Sequence, residues 1–279
     1  MMLTALAFGA GLVALLGLAV GSFLNVVAYR VPLGLSVVAP PSSCPACGSG
    51  IDARDNIPIL SWLMLRGKCR NCAEPISVRY LVLEAITGVF FVFAAIRFLP
   101  AALGSETVAA AISAALVVAA FLYFAAISVA LSAIDLDVHR LPNSIVLPAY
   151  GVGAALLGGA ALVGGDLVGL ARIAAGAGAM VLFYLILALA RPGGMGMGDV
   201  KLAGVIGMFL AALGWGPLVV GAFAAFLLGG LYGLALILSR RAGRKSGVPF
   251  GPWMLSGAWI GILFGDALAS QYLTVVGLS

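Results

Sequence analysis

Charged side chains are scarce in this chain: they make up 9% of its 279 residues, and there is a single histidine. Soluble domains carry charge on about a quarter of their residues, so this sequence could not cover a water-exposed surface with polar groups. Hydrophobic residues reach 63% and the mean hydropathy is +1.18. The sequence therefore predicts an all-α polytopic membrane protein.

A basic surface with interleaved aromatic residues, typical of nucleic-acid binding, is also missing. The net charge of +5 is better explained by loops between apolar runs, because basic residues concentrate in the cytoplasmic loops of membrane proteins. We therefore expect no nucleic-acid partner. The first apolar run, residues 1–27, carries no charge and lacks the basic start of a signal peptide. It is predicted to be a retained first span.

Eight apolar runs can cross a hydrocarbon core, which takes roughly 20 residues per helix. They cover residues 3–28, 80–98, 107–134, 143–163, 167–190, 199–213, 216–238 and 252–275. In this arrangement all the Lys and Arg residues except Arg97 and Arg172 lie on one side. The positive-inside rule then places both termini outside and the long first loop in the cytoplasm.

The long first loop holds all four cysteines, in two C-x-x-C pairs. Two such pairs can supply the four thiolates of a closed, tetrahedral structural zinc site. The alternative is two disulfides, which a reducing cytoplasmic loop disfavours. The single histidine lies far away along the chain, and a catalytic zinc usually needs His or carboxylate ligands, so a structural role is predicted. The predicted ligands are Cys44, Cys47, Cys69 and Cys72.

Ionisable residues at membrane depth are costly and suggest function. Asp135 ends the third predicted span and Asp199 begins the sixth, so the topology puts both at the same membrane face. Two adjacent carboxyls cannot both ionise easily, so one keeps a proton while the other activates water. The alternatives are that Asp199 caps its helix and that Asp135 is an ordinary interfacial acid. Asp137 competes with Asp135 for the catalytic role.

Several segments resemble one family, the type IV prepilin peptidases. The G-M-G-D sequence at 196–199 is similar to the G-x-G-D signature of intramembrane aspartyl proteases, and D-L-D-V-H-R-L-P-N at 135–143 resembles the first catalytic segment of the family. When residues 135–143 are aligned with that segment, the catalytic position falls on Asp135 rather than Asp137. Further matching segments lie at 21–32, 56–62, 66–72, 76–84 and 249–252.

The resemblance implies an enzyme that removes the leader of prepilins or pseudopilins and then N-methylates the new amino terminus with S-adenosylmethionine. It implies catalysis by Asp135 and Asp199, and a bacterial cytoplasmic (inner) membrane location with lipid around the spans. Residues expected to support the substrate or the backbone are Gly196, Gly198, Pro142 and Asn143. Asn25 and Glu84 are candidates for a role in methylation, with helix packing as the alternative.

The resemblance also divides the chain into three parts. These are a first transmembrane helix at 1–30, a cytoplasmic cysteine loop at 31–79 that is associated with zinc and methylation, and a transmembrane aspartyl peptidase domain at 80–279. No glycine-rich cofactor loop indicates where the methyl donor binds. The alternative functions are a peptidase without methylation, a polytopic transporter, and an assembly platform that docks through its zinc loop. A transporter should show paired charges near the midplane or inverted repeats, which the sequence does not show.

Overall fold

A computed structural model describes residues 2–191, 194–239 and 249–277. The described chain is helical apart from loops and two isolated β-bridges in the cysteine loop. The basic residues Arg240, Arg241, Arg244 and Lys245, used in the topology prediction, lie outside the described residues. The helices are α1 Met2–Arg30, α2 Leu60–Met64, α3 Val78–Leu103, α4 Val108–Val138, α5 Asn143–Gly153, α6 Gly159–Val163, α7 Leu167–Ala190, α8 Met197–Leu213, α9 Trp215–Leu238 and α10 Gly251–Val275.

Seven stretches of the described chain are long and apolar enough to span a membrane, judged by length and composition. A π-helical turn, Ala154–Gly158, joins α5 and α6 into one of them, Asn143–Val163. The sixth predicted span, 199–213, forms α8, which has 17 residues and is shorter than the other predicted spans. Nearly all of α8 after its first turn is buried, so protein rather than lipid surrounds it.

The chain divides into two compact units. The first contains residues 1–104 and 121–130, and therefore holds α1, the cysteine loop (residues 31–79), α2, α3 and part of α4. Within it, α1 packs closely on α3 because small residues line their interface. A Cβ added to Gly21 would lie 2.7 Å from the Cα of Glu84, and one added to Gly17 would lie 2.7 Å from the Cβ of Phe91.

The second unit contains residues 105–120 and 131–279. Its helices pair as α7 with α8 and α9 with α10. The short α8 ends against α7, where Arg172 donates hydrogen bonds to the carbonyls of Ala211 at 2.7 Å and Ala212 at 3.3 Å. The last carbonyls of a helix have no partner within the helix, and this guanidinium supplies one. Arg172 therefore lets α8 end within the protein.

Candidate active site and metal centre

Asp135 lies in the last turn of α4, and its side chain is buried. Its Oδ2 accepts a hydrogen bond of 3.0 Å from the backbone N–H of Gly251, the first residue of α10. The competing acid, Asp137, is exposed two residues further along. The structure therefore separates the two candidates, and Asp135 is the buried one.

Asp199 is the third residue of α8 and is half-buried. Its Oδ2 accepts a hydrogen bond of 3.1 Å from the N–H of Gly196, just before the helix. The capping role considered from the sequence is thus present, and it uses one of the two carboxylate oxygens. Each candidate carboxylate therefore accepts a backbone N–H at the start of a helix, where unpaired N–H groups and the helix dipole favour negative charge.

Leu141 brings the starts of α8 and α10 together. A Cβ on Gly198 would lie 3.1 Å from the Cβ of Leu141, and one on Gly251 would lie 3.2 Å from its Cδ2. Both glycines are thus in tight contact with the same leucine. Asp135 bonds to Gly251 and Asp199 directly follows Gly198, so each acid adjoins one of these glycines. The second unit therefore collects both predicted catalytic residues at one place.

The two supporting residues predicted between these acids lie at the same junction. Pro142 precedes the first residue of α5, and Asn143 is that first residue. The Oδ1 of Asn143 accepts a hydrogen bond of 3.1 Å from Lys201 on α8. The hydroxyl of Tyr150 donates to the backbone carbonyl of Lys201 at 2.6 Å. The segment after α4 is thus tied to the first turns of α8, beside Asp199.

Two features of this junction were missed in the sequence analysis. The first is the bond from Gly251 to Asp135. The matching segment at 249–252 was the available signal, but nothing in it showed which acid it meets. The second is an aromatic cluster of Tyr184, Phe226 and Phe250, with ring centroids 5.4–6.4 Å apart. Phe250 of this cluster immediately precedes Gly251, the residue that bonds to Asp135.

The four cysteines of the first unit form one cluster. Their sulfur atoms all lie within 4.8 Å of one another, and the Sγ atoms of Cys44 and Cys72 are 3.7 Å apart. A tetrahedral zinc site with Zn–S bonds of about 2.3 Å places its sulfurs about 3.8 Å apart. The cluster has the donor chemistry and the dimensions to hold a metal ion.

The two C-x-x-C pairs have the same backbone geometry. In the first, the N–H of Cys44 bonds to the carbonyl of Ser49 and the N–H of Gly48 to the carbonyl of Cys44. In the second, the N–H of Cys69 donates to the carbonyl of Glu74, and the N–H of Ala73 donates to the carbonyl of Cys69. Gly48 and Ala73 both have positive φ, 71° and 58°. These repeated turns aim all four thiols at one point.

Neighbouring groups favour thiolates in part of the cluster. A hydrogen bond from the Ser49 hydroxyl lowers the pKa of Cys47 to about 6. The second turn is held from outside by Asp55, which accepts a two-pronged hydrogen bond from Arg70. That bond also lowers the pKa of the Asp55 carboxyl.

The two candidates for a role in methylation also lie in the first unit, at the α1–α3 interface. The amide of Asn25 donates to the carbonyls of Gly21 at 3.2 Å and Tyr80 at 3.3 Å, which ties the end of α1 to the start of α3. Glu84 is buried, and its Oε2 accepts a 2.6 Å hydrogen bond from the N–H of Ile59 in the cysteine loop. Both residues therefore hold secondary structure in place, and Glu84 also reaches the loop.

Comparison with known proteins matches the chain in two segments. Residues 15–98 match the Bacterial Peptidase A24 N-terminal domain, and residues 122–234 match the Type IV leader peptidase family. Curated relatives named prepilin leader peptidase/N-methyltransferase include those of Aeromonas hydrophila, Bacillus subtilis and Pseudomonas aeruginosa. In that order, they are 37%, 34% and 32% identical to this chain. The alignments cover 94%, 92% and 94% of this chain, and 93%, 95% and 93% of the respective relatives. No solved structure gives a significant match.

The agreement covers nearly the whole length of both the chain and these relatives, so the cysteine loop and the aspartate-bearing helices are both included. The chain belongs to the type IV leader peptidase family.

Proposed function

We propose that this protein removes the leader peptide of prepilins or pseudopilins and then N-methylates the amino terminus that cleavage creates. The observation that supports the peptidase half is the placement of Asp135 and Asp199 at one junction of helices, where each carboxylate accepts a backbone N–H at a helix start. The relatives named for both activities share nearly the full length of the chain, which supports the methyltransferase half.

Peptide hydrolysis by this pair needs one protonated and one ionised carboxyl. The charge of each disfavours ionisation of the other, so the pair holds a single proton. The ionised carboxylate takes a proton from the attacking water, and the protonated one donates to the carbonyl oxygen of the scissile bond. The N–H groups of Gly251 and Gly196 fix the two carboxylates while the proton moves.

The open backbone before α8 suits an extended substrate. Residues 194–196 precede the helix without regular structure, and glycine allows close approach of another chain. The peptide must be unwound before its amide can be attacked, and Gly194 and Gly196 are exposed, which leaves this stretch open to an approaching chain. We therefore assign Gly196 and Gly198 to substrate approach, and Pro142 and Asn143 to support of the junction.

For the second activity we assign S-adenosylmethionine as methyl donor. Methylation forms a bond between the amine nitrogen and the methyl carbon, leaves the electrons of the broken carbon–sulfur bond on sulfur, and releases one amine proton. We assign zinc to the four cysteines as a structural ion, because four thiolates leave no open position for catalysis. We place the protein in the bacterial inner membrane with its active site facing the cytoplasm, on the positive-inside argument.

Conservative substitution of each acid tests the peptidase half. Asp135→Asn and Asp199→Asn should each abolish cleavage of a co-expressed prepilin, since members of a cooperating pair are individually indispensable. Asp137→Asn is the matched control, two residues away on the exposed side, and should cleave normally. The amino terminus of the pilin is read by mass spectrometry, with membrane abundance checked in parallel. Loss of cleavage in Asp137→Asn with retention in Asp135→Asn would overturn the assignment.

The same spectra test the methyltransferase half. Cleaved pilin from the unmodified protein should carry one additional methyl group. A peptidase without methylation would yield cleaved, unmethylated pilin, and a transporter or assembly platform would yield uncleaved prepilin.

A further inference from the structure

A cleft of about 340 Å³ lies in the first unit, between the loop end of α1 and the cysteine loop. Its α1 side is formed by Phe23, Val26 and Arg30 with nearby small residues, and its loop side includes Pro40 and Asn56. Small-molecule sites are mostly apolar, with a few polar groups that fix orientation, and begin at about 300 Å³. The size and the lining are those of a site for one small ligand.

The cleft occupies the face of α1 that α3 leaves free. Gly21 and Leu24 are buried on the α3 side. Ser22, Phe23 and Val26 line the cleft, and a helix repeats every 3.6 residues, so these positions fall on the opposite side. Phe23 remains half-exposed. The loop thus folds over α1 without filling the space against it.

Arg30 places a positive charge in this lining. Its guanidinium donates to the carbonyls of Ser36 at 3.0 Å and Pro40 at 2.8 Å. These bonds fix the side chain against the loop, and arginine has five N–H donors in a rigid fork that also suits a carboxylate. An aromatic ring and a fixed guanidinium therefore line one cleft.

We propose that this cleft binds S-adenosylmethionine, with the adenine against Phe23 and the apolar wall and the carboxylate of the methionine moiety on Arg30. The inference rests on the proposed methyltransferase activity and gives that activity a location. Adenine stacks on aromatic rings, and its ring system suits the valine and proline surfaces of the loop. The cleft also lies in the unit that carries the cysteine cluster.

Glu84 acts on this cleft as a positioning residue. Its carboxylate accepts the N–H of Ile59. Ile59 has a positive φ of 61°, which is unfavourable for a β-branched side chain. Pro58 and Asn56, immediately before it, line the cleft. The buried carboxylate therefore holds the loop wall in a conformation that the backbone would not adopt alone.

Direct binding tests the site on the full-length protein in detergent. The probe is radiolabelled S-adenosylmethionine, followed by equilibrium binding and by ultraviolet crosslinking with peptide mapping. Phe23→Ala should weaken binding at least about tenfold, in keeping with the energy of base–aromatic stacking. Arg30→Gln should weaken it as well, and the crosslink should map to the α1 or loop side of the cleft. Phe8→Ala is the matched control, an exposed phenylalanine on the same helix outside the cleft, and should bind normally.

Two substitutions test the positioning role of Glu84. Glu84→Gln keeps an oxygen that can accept from Ile59, whereas Glu84→Leu removes it. The KM for S-adenosylmethionine should rise at least about tenfold in Glu84→Leu, with a smaller change in kcat, and Glu84→Gln should restore most of the affinity. Equal loss of kcat in both variants with KM unchanged would overturn the positioning role.

The outcomes separate this inference from the proposed function. If the unmodified protein binds and methylates while Phe23→Ala binds as tightly as Phe8→Ala, the cleft is not the donor site and the methyltransferase activity stands. If Phe23→Ala changes the co-purified phospholipid and leaves donor binding intact, the cleft is a lipid site and the inference is wrong. If the unmodified protein cleaves prepilin but neither binds the donor nor methylates, the proposed second activity fails.

Discussion

The carboxylate of Asp135 and the backbone N–H of Gly251 are 3.0 Å apart, although 116 residues separate them along the chain. The bond joins the end of α4 to the first residue of α10. Both partners are buried, so water does not replace the bond if it is broken, and a buried acceptor without a donor is costly. The orientation of a proposed catalytic carboxylate thus depends on a glycine from the far end of the protein.

Gly251→Ala should inactivate the peptidase. A Cβ at this position would lie 2.7 Å from Oδ2 of Asp135, closer than non-bonded atoms can approach, so the carboxylate must move. Displacement of a catalytic group by about 1 Å costs on the order of 100-fold in rate. Cleavage of a prepilin peptide by the purified variant measures the loss.

Gly233→Ala is the control for this substitution. Gly233 lies in α9, and a Cβ there meets no atom within 4 Å, so cleavage should stay normal. Unchanged cleavage in Gly251→Ala would show that the Asp135–Gly251 bond has no part in catalysis.

Much of this fold follows from the sequence because the bilayer restricts the choices. Apolar runs without turns must form helices, since backbone groups in lipid need internal partners. The eight runs therefore correspond to helices, including α8. The same physics singled out Asp135 and Asp199, because acids are rare at membrane depth.

The contacts between distant segments could not be predicted in this way. The N–H of Gly251 meets Asp135 only after α4 and α10 have packed, and no local pattern encodes that pairing. The bond from Glu84 to Ile59 likewise depends on where the cysteine loop folds back on α3. Arg172 was predicted to lie near the outer face, and its partners, the last carbonyls of α8, depend on helix packing.

The division of the chain into parts 1–30, 31–79 and 80–279 stays a prediction. In the structure α1, the loop and α3 form one unit.

Arg172→Met should destabilise the second unit. The substitution keeps an apolar side chain of similar length but removes the donors for the carbonyls of Ala211 and Ala212. Hydrogen bonds to charged groups contribute about 1.5–3 kcal/mol, so the melting temperature in detergent should fall by several degrees. Arg172→Lys keeps a donor and the charge, so its melting temperature should lie between those of Arg172→Met and the unmodified protein. A melting temperature for Arg172→Met equal to that of the unmodified protein would contradict the capping role.

Replacement of two zinc ligands should separate the two activities. Cys44→Ser with Cys69→Ser removes one thiolate from each pair, and a small metal site provides much of its own folding energy. The purified protein should lose its zinc, about one ion per chain by metal analysis. Methylation should fall more than cleavage, because the proposed dyad lies in the other unit.

The control for the double cysteine variant is Asp52→Asn, in the same loop. Asp52 forms an exposed ion pair with Arg54, and such pairs contribute little, so zinc content and both activities should be retained. Mass spectrometry of the pilin amino terminus distinguishes cleaved from methylated product at matched membrane abundance. Equal loss of both activities at normal abundance would mean that the loop also supports the peptidase.

The two cysteine turns should respond in opposite ways to the exchange of glycine and alanine. Gly48 and Ala73 occupy equivalent positions with φ of 71° and 58°, and a left-handed conformation costs about 1–2 kcal/mol for a residue with a Cβ. Ala73→Gly relieves this strain, partly offset by about 0.5–1 kcal/mol of chain entropy, while Gly48→Ala introduces it. A Cβ on Gly48 would meet no atom within 4 Å, so the effect of Gly48→Ala is conformational rather than steric.

Zinc affinity, measured by competition with a chelator, should therefore rise a few-fold in Ala73→Gly and fall a few-fold in Gly48→Ala. Changes of the same sign in both variants would show that the two turns are not equivalent in the zinc-bound loop.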